Sequence, residues 1–164
     1  MADSCSSFGD LRERAKMNKT IWDPDARKEL CERLDMLTPD ATAKWGKMSA
    51  RQMLAHLVDA LKMATGEIVP TQKNLPIRFS PVKQLIIYGP PFPKNSPTAP
   101  ELITRQADDW DGECARLREI METYAKRPQY KKFPRHPAFG TLSRRAWGAL
   151  GYKHIDHHLR QFGV

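Results

Sequence analysis

Long apolar runs are missing from this 164-residue chain, whose mean hydropathy is −0.61. No stretch approaches the ~20 residues that a bilayer-spanning helix needs, so an integral membrane protein is not expected. Residues 1–15 carry charges and small polar side chains but no apolar core of a secretory signal, which points to the cytoplasm. Cysteine is scarce. Cys5, Cys31 and Cys114 are odd in number and form no C-x-x-C pair, which argues against both a disulfide framework and a thiolate zinc site. Cys31 and Cys114 read as small core fillers. Sustained strand alternation is absent, and no period of 20 to 50 residues repeats. Acidic residues are the minority charge, 19 against 27 Lys and Arg, and the net charge of +8 suits anionic partners. A nucleic-acid-associated stress protein is nonetheless disfavoured, because there is no zinc-finger spacing, aromatic RNA-binding signature or basic recognition helix.

What is present is helical periodicity with clear punctuation. Residues 1–20 are polar and aperiodic and read as a mobile arm, leaving 21–164 as one domain. Asp23-Pro24 supplies an N-cap and first-turn proline for a helix bearing Leu30, Leu34 and Leu37, stopped by Thr38-Pro39. Ser49-x-x-Gln52 is a capping box opening a second helix that ends at Gly66, with Met53, Leu57, Ala60, Leu61 and Ala64 as its apolar stripe. Eight of the thirteen prolines fall between Pro70 and Pro100, which predicts a long, stiff crossing. Ser80-Pro81 and Gly89 bracket a helix of a turn or two within it. Thr98-x-x-Glu101 predicts the start of a third long helix, whose core face is Trp110, Cys114, Leu117, Met121 and Tyr124. Residues 126–137 break it, and Ser143 caps a last helix running to Phe162, with Gly163 beyond. The expectation is an all-α four-helix bundle with one long proline-rich crossover between helices 2 and 3.

The histidines carry the chemistry. His154 and His158 are separated by one helical turn, about 40° and ~6 Å, so their rings lie one above the other on the face shared with Trp147, Leu150 and Gly151. That face points inward. His56 occupies the inward stripe of the second helix and offers a third imidazole from across the bundle. Three neutral nitrogens on two helices would hold a divalent ion and leave a coordination position open. The plainer alternative is a set of hydrogen-bonded core histidines, but three unpaired imidazoles in one core are costly. His157 is turned aside and reads as a residue behind the ligands or at the solvent edge; His136 reads as structural. His154-Ile155-Asp156-His157-His158 is superficially similar to H-E-x-x-H, but Asp156 is turned about 200° from His154 and cannot serve as its general base. Asp59 and Gln161, each a turn beyond a histidine, are the candidates for reaching the site or orienting a ligand ring. Lys131, Lys132 and Arg135 are candidate attractors for an anionic substrate or a thiol's carboxylate.

Three segments, Trp45 through His56, His136-Pro137-Ala138-Phe139-Gly140 and Trp147 through Phe162, together resemble the DinB-like superfamily, and within it a bacterial subfamily of unknown function. The resemblance implies a four-helix bundle holding zinc or nickel on a histidine triad, with His56, His154 and His158 at the ligand positions. It also implies kinship with bacillithiol S-transferases, mycothiol-dependent isomerases and metal-dependent hydrolases, many of them dimers. The expected function is therefore a metal-dependent enzyme acting on a small molecule, a thiol S-transferase or hydrolase, with a low-molecular-weight thiol as the cofactor in the former case. The alternative is a non-enzymatic bundle that the metal merely stabilises.

Overall fold

The computed structural model describes residues 19–96, 98, 100–128 and 131–164. The arm expected over residues 1–20, and Cys5 with it, lies outside the described residues as far as residue 18, while Lys19 already pairs with Glu29. Among the described residues the fold is all-helical, with five α-helices and no strand beyond a single bridge between His136 and Gly140. The helices are α1 (Pro24–Asp35), α2 (Ala50–Thr65), α3 (Val82–Tyr88), α4 (Trp110–Ala125) and α5 (Arg144–Phe162). No helix is long and apolar enough to cross a membrane.

Local chemistry sets most boundaries. Asp23 accepts from the Asp25 amide, with Pro24 in the first turn of α1. That helix closes at Asp35, short of Thr38, so Leu37 is buried from the loop that follows. In α2 the capping box closes both ways, Gln52 N–H donating to Ser49 Oγ (3.1 Å) and Ser49 N–H to Gln52 Oε1 (3.0 Å). Gly66 and Gly163, at φ 91° and 90°, provide the left-handed ends of α2 and α5. Within the crossing, α3 starts one residue later than the Ser80-Pro81 pair suggests, with Pro81 itself in the capping position.

One boundary overturns the expectation. Thr98-x-x-Glu101 does not open the third long helix; Pro100–Leu102 makes only a 3₁₀ turn, and α4 begins at Trp110, capped by Asp109 accepting from Gly112 N–H (3.0 Å). Arg51 and Ala107 exchange hydrogen bonds, Ala107 N–H to Arg51 O (3.0 Å) and the Arg51 guanidinium to Ala107 O (2.9 Å). These tie residues 103–109 to α2 in place of a helix.

Helix α2 is the centre of the molecule. Every residue from Met53 to Leu61 is buried, as for a helix with neighbours on several sides. It packs on α4 and α5, while α1 lies on α5 and α4, and α3 lies on α5. Leu30, Leu54, Leu57, Leu117 and Leu159 are almost wholly removed from water, each contributing about 2 kcal/mol of transfer free energy. The Ile21-Trp22 segment crosses α5 closely enough that a Cβ at position 148 would run into the Trp22 indole, so only glycine fits there. Lys153 on α5 donates to the carbonyls of Ile86 and Gly89, fastening the end of α3 onto the helix that carries the histidines. Cys31 and Cys114 are free thiols, half-buried and buried; burial pushes Cys114 up to about 11, as suits an inert packing residue.

Candidate metal centre

Capping and periodicity aim three rings at one point. His56 sits in the second turn of α2, and His154 and His158 lie one turn apart on α5. The three ring centroids are mutually 4.9 Å apart, and the rings meet steeply, at interplanar angles of 70–85°. His154 Nε2 lies 3.0 Å from His56 Nε2 and 3.2 Å from His158 Nε2. Within 4.8 Å, these are the only three His, Cys, Asp or Glu side chains grouped in this way among the described residues.

The outer nitrogens set the tautomers. His56 Nδ1 lies 2.9 Å from the Leu102 carbonyl, which can only accept, so Nδ1 carries the proton and Nε2 presents a lone pair. His158 Nδ1 lies 2.8 Å from Gln161 Oε1, and the orientation of that amide follows from its other end, where Gln161 Nε2 donates to the Trp45 carbonyl at 2.8 Å. His158 therefore also turns a bare Nε2 inward. A single N–H on His154 is all that remains to serve two facing lone pairs, so the cluster is short of a donor at its centre. Protonation does not relieve this. Burial holds all three rings in the neutral form, His158 down to about 3 and His56 and His154 below the ordinary histidine value, the neighbouring imidazoles adding to the effect on His154.

The remaining sequence candidates fall elsewhere. Gln161 touches the cluster through His158. Asp59 makes no hydrogen bond to the three imidazoles; Arg105 grips both its carboxylate oxygens at 2.8–3.0 Å and also reaches Glu113 at 2.5 Å. Those two carboxylates raise Arg105 well above its ordinary value. Asp156 is likewise committed, to Arg33 (2.8 Å) and Arg160 (3.2 Å). His157 stands beside the cluster, its ring 5.3 Å from that of His158 and edge-on to Trp45 and Phe92. His136 is held in its own turn, Nδ1 accepting from the amides of Ala138 and Phe139.

Two clefts flank the histidines. One, of about 510 Å³, is lined by His158, Gln161, His157, Trp45, Met48 and Gln52 together with the crossing residues Asn95, Ser96 and Thr98. The other, of about 450 Å³, shares Trp45 and His157 and adds Lys44, Phe92, Lys94 and Arg160. The proline-rich crossing thus supplies part of both walls. Lys131, Lys132 and Arg135 line neither. The Leu102 carbonyl, Arg105, the wall role of Trp45 and the cations of the second cleft are not marked as site features by the sequence. Arg105 was detectable only as an unassigned cation ahead of Asp108-Asp109, and the Leu102 carbonyl leaves no side-chain signal at all.

Among the described residues, fold and site together define an all-helical protein built around a cluster of three histidines, two buried and one half-buried, with an adjoining cleft. Residues 17–163 match the family described as "Protein of unknown function (DUF1569)", and the chain belongs to it. No curated protein and no solved structure matches it.

Proposed function

We propose that this chain is a divalent-metal-binding protein of DinB-like four-helix architecture, α1, α2, α4 and α5 forming the bundle, and that it is an enzyme acting on a small molecule by hydrolysis or thiol transfer. The carrying observation is the pair of Nε2–Nε2 separations, 3.0 and 3.2 Å, between neutral rings whose lone pairs face one another. Ligand nitrogens of a tetrahedral zinc ion lie about 3.3 Å apart; two of the three pairs are already close to that, and all three ligand atoms fall within 4.8 Å of one another, a spread on which the rings of His56, His154 and His158 could close around such an ion. Three imidazoles suit zinc or nickel and leave at least one position open.

The cleft of about 510 Å³ reaching His158 favours a reactive ion over a merely structural one, since a structural site is closed by protein ligands. A divalent ion bound here would supply Lewis acidity, enough to bring a water's pKa close to neutrality or to deprotonate a low-molecular-weight thiol. Around it the chain's own groups have separate tasks. The Leu102 carbonyl and Gln161 hold His56 and His158 in the tautomer that points Nε2 inward. His157 and Trp45 form the wall along which a substrate would lie, and Asp59, engaged by Arg105, braces the turn that presents Leu102.

Metal analysis of the purified wild type beside His154→Ala tests the reading. Near-stoichiometric zinc or nickel is expected in the wild type, and a loss of affinity of about tenfold or more in the variant. Equal metal content in the two proteins at limiting supply would refute it.

A further inference from the structure

We propose that the second cleft is an anion subsite, in which Lys44, Lys94 and Arg160 receive the carboxylate or phosphate of a small substrate whose apolar body lies against Trp45 and Phe92. The inference extends the metal-centre reading by naming the substrate class, an apolar or aromatic small molecule with an anionic head; the subsite itself is a property of the cleft alone.

Three segments distant in sequence bring the cations together: Lys44 from the loop before α2, Lys94 from the proline-rich crossing and Arg160 from the last turn of α5. No Asp or Glu lines this cleft. Arg160 is held on one side by Asp156 at 3.2 Å, whereas among the described residues neither Lys44 nor Lys94 has a carboxylate within ion-pair distance. Like charges converging on a concavity raise the local concentration of anions there. The end of α5 also borders the cleft; its dipole, about half a negative charge, and the Asp156 carboxylate beside Arg160 offset part of the three positive charges, so the anion attraction rests chiefly on Lys44 and Lys94. The Val164 carbonyl, for its part, is engaged by Arg33 at 3.0 Å.

The walls suit the rest of the ligand. The Lys94 ammonium lies 4.9 Å over the Trp45 ring, and that of Lys153 lies 4.8 Å over Phe92, so each aromatic surface has a cation beside it. Trp45 and His157 belong to both clefts. A molecule anchored at Lys94 and lying along that shared wall points its other end toward His158.

Three probes test the subsite on the intact protein: phenylacetate, phenyl phosphate and the neutral phenylacetamide, followed by the NMR shift of the Trp45 indole N–H, assigned with Trp45→Phe. Both anions are expected to bind about tenfold more tightly than the amide, and Lys44→Gln with Lys94→Gln to remove that preference. Both lysines are exposed, and an unchanged thermal melt confirms that the double variant is folded. The proposal is overturned if the amide binds as well as the anions, if no probe shifts the Trp45 signal, or if the double variant keeps the preference. Zinc titration of the same samples separates the two readings. Anion preference without zinc binding leaves the subsite standing and removes the metal centre, and zinc binding without anion preference does the reverse.

Discussion

Replacing Gln161 by leucine separates ring orientation from packing. The side chain is only 5% exposed and makes two hydrogen bonds of 2.8 Å, accepting from His158 Nδ1–H and donating to the Trp45 carbonyl. Leucine is of similar bulk but strands both partners, at about 1–3 kcal/mol for each buried group left unpaired. Trp45 borders both clefts, so water can reach its carbonyl and the stability loss should fall near the low end, about 2 kcal/mol. Without the Oε1 acceptor, His158 no longer favours the Nδ1–H tautomer, and zinc affinity should fall about 10- to 100-fold. Gln161→Glu retains the acceptor while setting a carboxylate against the Trp45 carbonyl; it should lose comparable stability yet hold zinc within a few-fold of wild type. Competition with a chromophoric chelator reads the affinity, and urea denaturation in the presence of a strong chelator reads the stability. The argument fails if the leucine variant keeps wild-type affinity to within about twofold, or if the glutamate variant loses as much as the leucine one.

Arg105→Met leaves Asp59, 6% exposed, without its cation and Glu113 with only Arg116 at 3.4 Å, and a loss toward the lower end of about 3–5 kcal/mol is expected because the guanidinium is itself partly solvated and Glu113 stays paired. Urea denaturation checks it, and a loss below about 1 kcal/mol would contradict the bracing role. The metal-free protein should also lose stability on acidification. Burial pushes His136 down to about 4 and His158 to about 3, with His56 and His154 lowered as well, whereas the unfolded chain's histidines titrate near 6.5. Below 6.5 the unfolded state binds protons that the folded state refuses. Stability is therefore full above that pH and falls as the pH drops toward 4 and then 3, by up to about 1.4 kcal/mol per pH unit for each such group. Urea midpoints that stay level between pH 6.5 and 4 would show that the rings are not held neutral.

The features legible in the sequence are those decided within one helical turn. Asp23-Pro24, Ser49-x-x-Gln52 and Ser143 each form the cap their spacing predicts, and the His154 and His158 rings meet, edge to face, because one turn separates them. Gln161 meets His158 by the same local geometry, three residues on. Asp59 shows where that reasoning stops: its helical position is as expected, but a cation 46 residues away takes its carboxylate. The misplaced start of α4 has the same origin. A local capping signal at Thr98 competes with tertiary demands on residues 100–107, and the tertiary demands prevail; the Asp109 cap, followed by acidic Asp111 and Glu113, was the sequence signal that could have corrected it.

That stretch explains why the crossing is long. In helical form from Thr98, the chain would withdraw the Leu102 carbonyl and Arg105 into a regular hydrogen-bonded ladder and a helical face. As a 3₁₀ turn followed by irregular chain, it delivers the carbonyl to His56 at 2.9 Å and the guanidinium to Asp59 and Glu113, while Phe92, Lys94, Asn95, Ser96 and Thr98 just upstream line the clefts together with Trp45 and His157. The helices bring three imidazoles together. The irregular segment between α3 and α4 orients one of them and supplies much of the wall around the space beside them.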